Sequence, residues 1–323
     1  MVSVAANGGA QGQVTQTVLV TGSSGFVGQR LVTALAGAGY RVRAASRKPS
    51  PAGLRDGVQA VRLPNLAERI DWDPLLAGVA HVVHLAGVAH RGAAVSEDMY
   101  DRINHLAVAD LAAAAAKAGL ARLIFISSIG GQSGPSSDQV LTEADEPRPT
   151  TGYGRSKLAG EVALRASGVP HTIFRPVLMY GPNAPGNMRA LVRLAAAPWP
   201  LPFGALTGRR SLLAVDNLTR AIQLAMRSPA TKNETYVIAD LDAFTLPEII
   251  AVLRAAINRP PRLFPVPPWM LADALRMFGQ GDLWQRLGGS LMASPAKLIA
   301  AGWQPALGTR EGLSAMMRAR RDR

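Results

Sequence analysis

Cysteine is absent from the 323 residues of this chain. Disulfide bonds, thiolate metal ligands and cysteine nucleophiles are therefore excluded, and the redox compartment stays undetermined. Aromatic residues make up only 5% of the sequence. Because there is no nucleic-acid-binding motif and few aromatic rings to stack on bases, we expect no nucleic acid partner.

Long apolar runs are missing as well. No stretch reaches the roughly 18 uncharged apolar residues that a membrane helix needs, so no stable membrane insertion is expected. The beginning of the chain has neither a basic segment nor a continuous apolar core, which predicts a flexible leader over residues 1–16 rather than a signal peptide. A cytoplasmic protein is the default expectation.

The chain is basic, with a formal net charge of +13. Part of this charge is clustered at the C-terminus, in Arg318, Arg320, Arg321 and Arg323. A solvated helix end accounts for such a cluster, and an anionic surface is the alternative. The positive balance suits an anionic small substrate equally well.

Residues 17–175 alternate short β-branched runs with Ala-rich stretches, a pattern that predicts a doubly wound parallel α/β sheet, the Rossmann architecture. The predicted strands are Thr17–Thr21, Arg41–Ser46, 59–63, 81–86, 122–127 and 171–174. The predicted helices between them are 25–37, 99–118 and Gly152–Ala166.

Beyond Arg175 the alternation gives way to Pro- and Gly-rich connections, which predict a smaller substrate-binding lobe over residues 176–210 and 241–323. A segment at about 211–240 is expected to return to the Rossmann domain through a strand at 235–238. A helix is predicted at 246–257. The two lobes are thus expected to interleave.

A glycine-rich turn follows the first predicted strand and opens a helix. Gly22, Gly25 and Gly28 fall where such a turn bends, where the backbone approaches a pyrophosphate, and where helix packs on strand. The helix adds unpaired N–H groups and the positive end of its dipole. This context predicts a dinucleotide-binding site.

The end of the second strand distinguishes NAD from NADP, because an acidic residue there would bind the ribose 2′-hydroxyl of NAD. This chain has Ser46, Arg47 and Lys48 instead. A hydroxyl followed by two cations fits a 2′-phosphate, so NADP is favoured over NAD, with a solvated basic loop as the alternative.

Tyr153 and Lys157 lie four residues apart, on one face of a predicted helix. A neighbouring ammonium and the charge of a bound cofactor would stabilise the phenolate and make it a usable base. The fifth strand ends in Ser127 and Ser128, at the carboxyl edge where ligands of such sheets bind. A hydroxyl there could hold the substrate oxygen.

Together these motifs make the chain resemble the extended short-chain dehydrogenase/reductases, and within them the NAD-dependent epimerase/dehydratase branch that acts on nucleotide sugars. The resemblance extends over about residues 18–303. The motifs that carry it are the glycine turn, Leu85-Ala86-Gly87, Asn104, Ser128, Tyr153, Lys157, Arg175-Pro176 and Tyr180-Gly181-Pro182.

The resemblance implies roles for individual residues. Ser128, Tyr153 and Lys157 would form the catalytic triad, with Tyr153 as acid and base and Lys157 also holding the nicotinamide ribose. Cofactor contacts would come from Gly22, Gly25, Phe26, Val27, Gly28, Ser46, Arg47, Ala86, Gly87 and Asn104. The nucleoside diphosphate of the sugar would be held by Asn187, Met188, Leu201, Phe203 and Arg210, with Arg210 on the phosphates. Family members also often form homodimers through helices equivalent to 99–118 and Gly152–Ala166.

Departures from the family pattern narrow the reaction. Dehydratases carry an Asp-Glu pair after the catalytic hydroxyl, whereas Ile129 and Gly130 follow Ser128 here. Many 4-epimerases carry Asn where this chain has Leu178, and an acidic residue near Ser294 is also replaced. A 4-ketoreductase and a 4-epimerase of a UDP-hexose type of substrate remain open.

Two other readings stay open. The superfamily contains reductases of apolar carbonyls, and it contains NADP-sensing regulators, which typically lose the tyrosine that is present here. No metal site is expected, because the five histidines lack ligand spacing. The amphipathic stretch at 269–277 fits core or lid packing, with membrane association as the alternative.

Overall fold

The computed structural model describes residues 16–50, 54–89 and 95–320. The predicted leader therefore lies outside the described residues apart from Gln16, and so do Arg321 and Arg323. Within the described residues, no helix is both long enough and apolar enough to cross a membrane.

The main sheet has seven strands in the spatial order β10-β7-β5-β4-β1-β2-β3, and every neighbouring pair is parallel. This order is that of a doubly wound Rossmann sheet, so the predicted fold class is confirmed. The strands are β1 Thr17–Thr21, β2 Arg41–Ser46, β3 Val58–Arg62, β4 His81–His84, β5 Arg122–Ile126, β7 His171–Pro176 and β10 Glu234–Ile238.

Helices cover both faces of this sheet because its strands are apolar on both sides. One buried cluster contains Val20, Ile124 and Phe174, and the other contains Leu19, Leu123 and Phe125. The helices of this half are α1 Phe26–Gly37, α2 Asp73–Leu76, α3 Glu97–Asp101, α4 Ala107–Lys117, α5 Gly152–Ala166 and α7 Val215–Arg227.

The helix predicted at 99–118 differs in one respect. It begins at Glu97, after the side chain of Ser96 caps the N–H of Met99, and it contains a π-helical turn at Arg102–Leu106 between α3 and α4. Such a wide turn is common at functional sites and could not be inferred from apolar periodicity. Asn104 lies within this turn and is buried.

The second lobe contains a small sheet in the order β11-β9-β8 and a two-stranded pair, β12-β6. Its strands are β6 Val140–Leu141, β8 Leu178–Tyr180, β9 Arg209–Ala214, β11 Ala243–Thr245 and β12 Met292–Ala293. Its helices are α6 Gly186–Ala195, α8 Leu246–Ala255, α9 Pro268–Met277, α10 Gly281–Gly288, α11 Ala296–Ala300 and α12 Thr309–Arg318. A separate apolar core, including Tyr180, Met188, Leu212 and Leu253, holds most of these elements together.

The segment expected to return at about 211–240 divides between the two lobes. β9 pairs with β8 and β11 in the small sheet. α7 packs against α1, and β10 joins the edge of the main sheet beside β7, as predicted for residues 235–238. The first strand of the segment is thus part of the second lobe, because its buried Leu212 packs there.

Candidate active site

The glycine-rich turn joins β1 to α1 at the carboxyl edge of the main sheet. Gly22 has a positive φ of 71°, and a Cβ on it would lie 2.9 Å from the backbone nitrogen of Ala86. A Cβ on Gly28 would lie 2.3 Å from the carbonyl oxygen of Gly22. Gly25 caps α1, whose first N–H groups face the turn without intrahelical partners. This backbone fits a dinucleotide pyrophosphate.

Other predicted cofactor residues lie along the same edge. Ser46 is buried at the end of β2 and Arg47 beyond it is exposed. Ala86 follows β4, and its N–H donates to Thr21 Oγ1 at 3.2 Å. Phe26 places its ring against Gly181 of the second lobe, so only its backbone faces the turn.

Asn104 connects the loop after β4 to α5. Its side-chain oxygen accepts from Val88 N–H at 3.0 Å, while its amide donates to Val88 O at 3.0 Å and to Ser156 Oγ at 3.2 Å. A Cβ on Gly87 would lie 2.7 Å from Asn104 Oδ1 and 3.4 Å from Lys157 Nζ. Asn104 thus holds the loop after β4 against α5.

Ser128 and Tyr153 meet across the edge of the sheet. Ser128 follows β5, and its Oγ accepts from Gly130 N–H at 3.0 Å. Thr151 caps α5 and sets Tyr153 in the first turn of that helix, where its phenol interacts with the side chain of Ser128. Tyr100 packs edge-on against the Tyr153 ring, with ring centroids 5.9 Å apart.

The pKa of Tyr153 is raised from its ordinary value in the protein alone. Burial is the largest cause, and the hydrogen bond with Ser128 opposes it to a lesser degree. Desolvation thus disfavours the phenolate in the protein alone, and its predicted stabilisation depends on the Lys157 ammonium and the charge of a bound cofactor together. Positive charge brought by a bound cofactor would act in the opposite direction.

Lys157 lies one turn further along α5 and is buried. Its Nζ donates to Ile126 O at 3.0 Å and lies 4.8 Å from the centre of the Phe125 ring. Burial lowers the pKa of Lys157 to about 8, with the nearby carboxylate of Glu161 acting in the opposite direction. The ammonium is therefore present at neutral pH and is lost on moderate alkalinisation.

A buried ionic network behind α5 was not found by the sequence reasoning. Glu161 is fully buried and accepts from Ser127 Oγ at 2.6 Å and from Arg175 Nε at 2.9 Å. Arg175 also contacts the side-chain oxygen of Gln132. Arg175 was noticed only as part of a motif, and the signal for Glu161 is its position four residues after Lys157. The network fixes α5 to β5 and β7.

A cavity of about 930 Å³ extends from Ser128 and Tyr153 into the second lobe. Of the residues predicted to bind substrate, Asn187, Met188 and Phe203 line it. Leu201 does not line it, since its side chain is buried in the core of the second lobe and its backbone forms a β-bridge with Leu263.

Arg210 also lines the cavity, where it was expected to bind phosphates. Its guanidinium donates to Pro135 O at 3.2 Å and to Gln285 O at 2.9 Å. Arg210 thereby connects the loop after Ser128 with α10, a structural role that sequence spacing does not reveal.

Buried histidines belong to the structure of the sheet. His84 shares a 3.0 Å hydrogen bond between Nδ1 and Thr21 Oγ1, and burial lowers its pKa to about 3, with the charge of Lys157 as a smaller cause. His90 lies outside the described residues. Across the described part of the chain, no three His, Asp or Glu side chains are grouped as metal ligands would be.

The fold and the glycine turn define a dinucleotide-binding α/β protein. Residues 18–239 match the model of the NAD dependent epimerase/dehydratase family, and the chain belongs to this family of enzymes. It is 31% identical over 316 residues to a UDP-glucose 4-epimerase of Vibrio cholerae, covering 93% of this chain and 94% of the relative.

Two further similarities bear on the site. A ceramide reductase of Caulobacter vibrioides is 30% identical over 295 residues, which cover 89% of this chain and 86% of that protein. The solved structure of MoeE5 in complex with UDP-glucose and NAD superposes with a TM-score of 0.75 at 25% identity, covering 95% of this chain and 99% of the other.

Proposed function

We propose that this protein is an NAD(P)-dependent oxidoreductase that interconverts a secondary alcohol and a ketone, with Tyr153 as the acid and base. The observation that carries the proposal is the meeting of Ser128, Tyr153 and Lys157 at the sheet edge that also bears the glycine turn. Ligands of open α/β sheets bind at this edge.

Each residue has a defined task in the proposed reaction. Ser128 Oγ donates a hydrogen bond to the substrate oxygen. Tyr153, as the phenolate, takes the proton of the substrate hydroxyl as the alcohol becomes a ketone. A nicotinamide cofactor bound at the glycine turn would supply the hydride chemistry in both directions. Lys157 would hold the cofactor ribose, and its ammonium would keep positive charge near the phenol. Reduction uses the same groups in reverse, so Tyr153 then gives a proton to the oxygen.

Replacing Tyr153 with Phe tests this assignment. Turnover should fall by about a thousandfold, within the usual contribution of acid–base catalysis, while cofactor affinity is retained. Tyr100→Phe is the matched control, because that neighbouring ring packs on Tyr153 but lies outside the proton path. Comparable turnover of the Tyr153→Phe variant would show that another group handles the proton. Cofactor binding by a wild-type protein that has no turnover would instead favour a dinucleotide-sensing regulator.

The cofactor preference rests on the residues after β2. Exposed Arg47 beside Ser46 favours NADP, whereas the family model and the NAD of the MoeE5 complex favour NAD. Titration of both reduced cofactors decides between them. If Arg47 binds a 2′-phosphate, Arg47→Ala weakens NADPH binding about tenfold, as for one charge-assisted contact, and leaves NADH binding unchanged.

The first candidate substrate is a nucleotide sugar of the UDP-hexose type, which reacts at C4. The similarity to a UDP-glucose 4-epimerase and to the MoeE5 complex with UDP-glucose supports it. Incubation with UDP-hexoses and their 4-keto derivatives, followed by cofactor absorbance and product analysis, separates the two reactions. A 4-ketoreductase consumes reduced cofactor stoichiometrically, whereas a 4-epimerase changes the sugar without net consumption.

The second candidate is reduction of a carbonyl on an apolar molecule. The specific observation in its favour is the cavity beyond Tyr153, whose second-lobe wall is formed mainly by Leu, Ile and Met side chains. Similarity to a ceramide reductase also supports it. In the same assay, long-chain ketones should then consume reduced cofactor and UDP-sugars should not.

A homodimer is proposed for the outer faces of α3 to α5. Met99, Leu106 and Val162 are exposed there, and Val162 on α5 is 57% exposed. Light scattering measures the mass in solution. Val162→Glu should shift a dimer towards monomer, and a monomeric wild-type protein would contradict the assignment.

A further inference from the structure

The large cavity changes in chemical character along its length. At one end Ser128 and Tyr153 line it, and the remainder is lined by α6, α8, α9 and α10 together with β8, β9 and the segment at 202–208. Its volume of about 930 Å³ is at the upper end of the roughly 300–1,000 Å³ of small-molecule sites. The walls from these four helices include Leu191, Leu194, Ile249, Leu271, Leu275 and Leu287.

Polar groups are concentrated at the catalytic end. Among the described side chains that line the second-lobe part, Asn187, Arg210 and the indole N–H of Trp284 are the polar ones. The guanidinium of Arg210 already donates to the carbonyl oxygens of Pro135 and Gln285. A nucleoside diphosphate needs partners for its anionic oxygens and for the edge of its base, and burial without them is costly. A hydrocarbon chain needs only apolar surface.

We propose that this part of the cavity holds a hydrocarbon chain attached to the group that reacts at Tyr153. The inference deepens the proposed function and rests on it for the reacting end only. The hydrocarbon chain would be part of either a lipid-linked sugar diphosphate or a long-chain carbonyl lipid. Both sources share the apolar tail that the second lobe recognises.

Helix α9 separates the cavity from solvent and provides its entrance. Leu271, Ala274, Leu275 and Phe278 line the cavity at the spacing of one helical face, and Phe278 immediately follows α9. Phe278 is also 80% exposed, so it lies at the opening. An apolar side chain at the opening suits the passage of a hydrocarbon.

Two substitutions on α9 test its cavity-lining face and its solvent-exposed face separately. Ala274→Glu places a carboxylate in the cavity at a position where no buried packing is removed. Met277→Glu adds the same charge on the outer face, at a residue that is 85% exposed. Circular dichroism and thermal unfolding confirm that both variants fold.

The probe is dansylaminoundecanoic acid, whose fluorescence rises in an apolar site. The wild-type protein should bind it, Ala274→Glu should bind it about tenfold more weakly because a carboxylate in an apolar cavity is costly, and Met277→Glu should match the wild type. Tyr153→Phe should also bind it as the wild type does, so failure of the catalytic assignment would be seen separately, in turnover.

Competition then identifies the source of the chain. Displacement by an undecaprenyl diphosphate points to a lipid-linked sugar, and displacement by a long-chain ketone alone points to a carbonyl lipid. Either result supports the proposal. Displacement by UDP or UDP-glucose, absence of probe binding, or equal binding by Ala274→Glu and wild type would overturn it.

Discussion

The two lobes fix their functional groups by different means. In the dinucleotide half, contacts with the backbone fix the functional groups. Gly28 can have no Cβ because the carbonyl oxygen of Gly22 is too close, and Lys157 is held by a hydrogen bond to Ile126 O. In the second lobe, side chains from four helices and the small sheet pack around a cavity. Chemistry that depends on backbone leaves short motifs in a sequence, whereas a cavity made by packing does not.

The partners of buried arginines also differ between the two lobes. Arg175 is paired with the carboxylate of Glu161, so its charge is neutralised locally. In the second lobe, buried Arg254 donates to the carbonyl oxygens of Ala195 and Trp199, and thus holds loop backbone rather than an ion. The first arrangement fixes α5, which carries Tyr153 and Lys157, and the second holds the end of α6 and the segment after it against α8.

The largest expected effect is that of breaking the ion pair behind α5. Glu161→Gln leaves the Arg175 guanidinium buried beside a neutral amide, which should cost about 4 kcal/mol of unfolding free energy. Glu97→Gln is the control, because its ion pair with Arg155 is exposed and should contribute no more than about 1 kcal/mol. Urea denaturation measures both, and similar losses would show that the buried pair has no special weight.

The glycine turn is expected to respond next most strongly. Gly28→Ala forces a Cβ to 2.3 Å from Gly22 O, and since the obstacle is backbone, the turn must distort at a cost of about 3 kcal/mol. Cofactor binding should be lost with it. Gly37→Ala, at the far end of α1, meets nothing within 4 Å and should be neutral or slightly stabilising. Calorimetric titration of cofactor distinguishes the two, and wild-type affinity in Gly28→Ala would contradict the assigned turn.

Sequence reasoning succeeded where a local rule determines position. The strands of the main sheet, the turn at Gly22 and the placement of Tyr153 with Lys157 follow from periodicity and spacing. It did not find the π-helical turn at Asn104 or the partner of Arg175, since both depend on contacts between distant segments.

The second lobe shows the limit more clearly. Leu201 and Arg210 were both expected on the substrate, by resemblance. Leu201 is a core residue, whereas Arg210 lines the cavity and also donates to two backbone carbonyl oxygens, so its contact with phosphates stays a prediction. A sequence does not show whether a Leu side chain packs into the core or lines a cavity, or which acceptors an Arg side chain binds. Both depend on how distant segments pack together.

Lys157 allows a pH test of the dinucleotide half. Its pKa falls from the ordinary 10.5 to about 8 in the folded protein, so between these values the unfolded chain binds a proton that the native state does not. Stability due to this group therefore rises with pH across that window, by up to about 1.4 kcal/mol per pH unit. The difference in unfolding free energy between wild type and Lys157→Met isolates it. A difference that does not vary from pH 8 to 10.5 would contradict the burial of a charged amine.

The smallest expected effect tests the second lobe at Arg210. If its hydrogen bonds to the carbonyl oxygens of Pro135 and Gln285 are its main task, Arg210→Met should lower stability by about 1.5 kcal/mol and loosen α10. Hydrogen exchange of the α10 amides measures the loosening, with Arg189→Met on the exposed face of α6 as the control. A clamp of this kind leaves the affinity for UDP unchanged. A large loss of UDP affinity with unaltered exchange would instead show that Arg210 binds the phosphates. A single side chain would then specify the ligand of the second lobe.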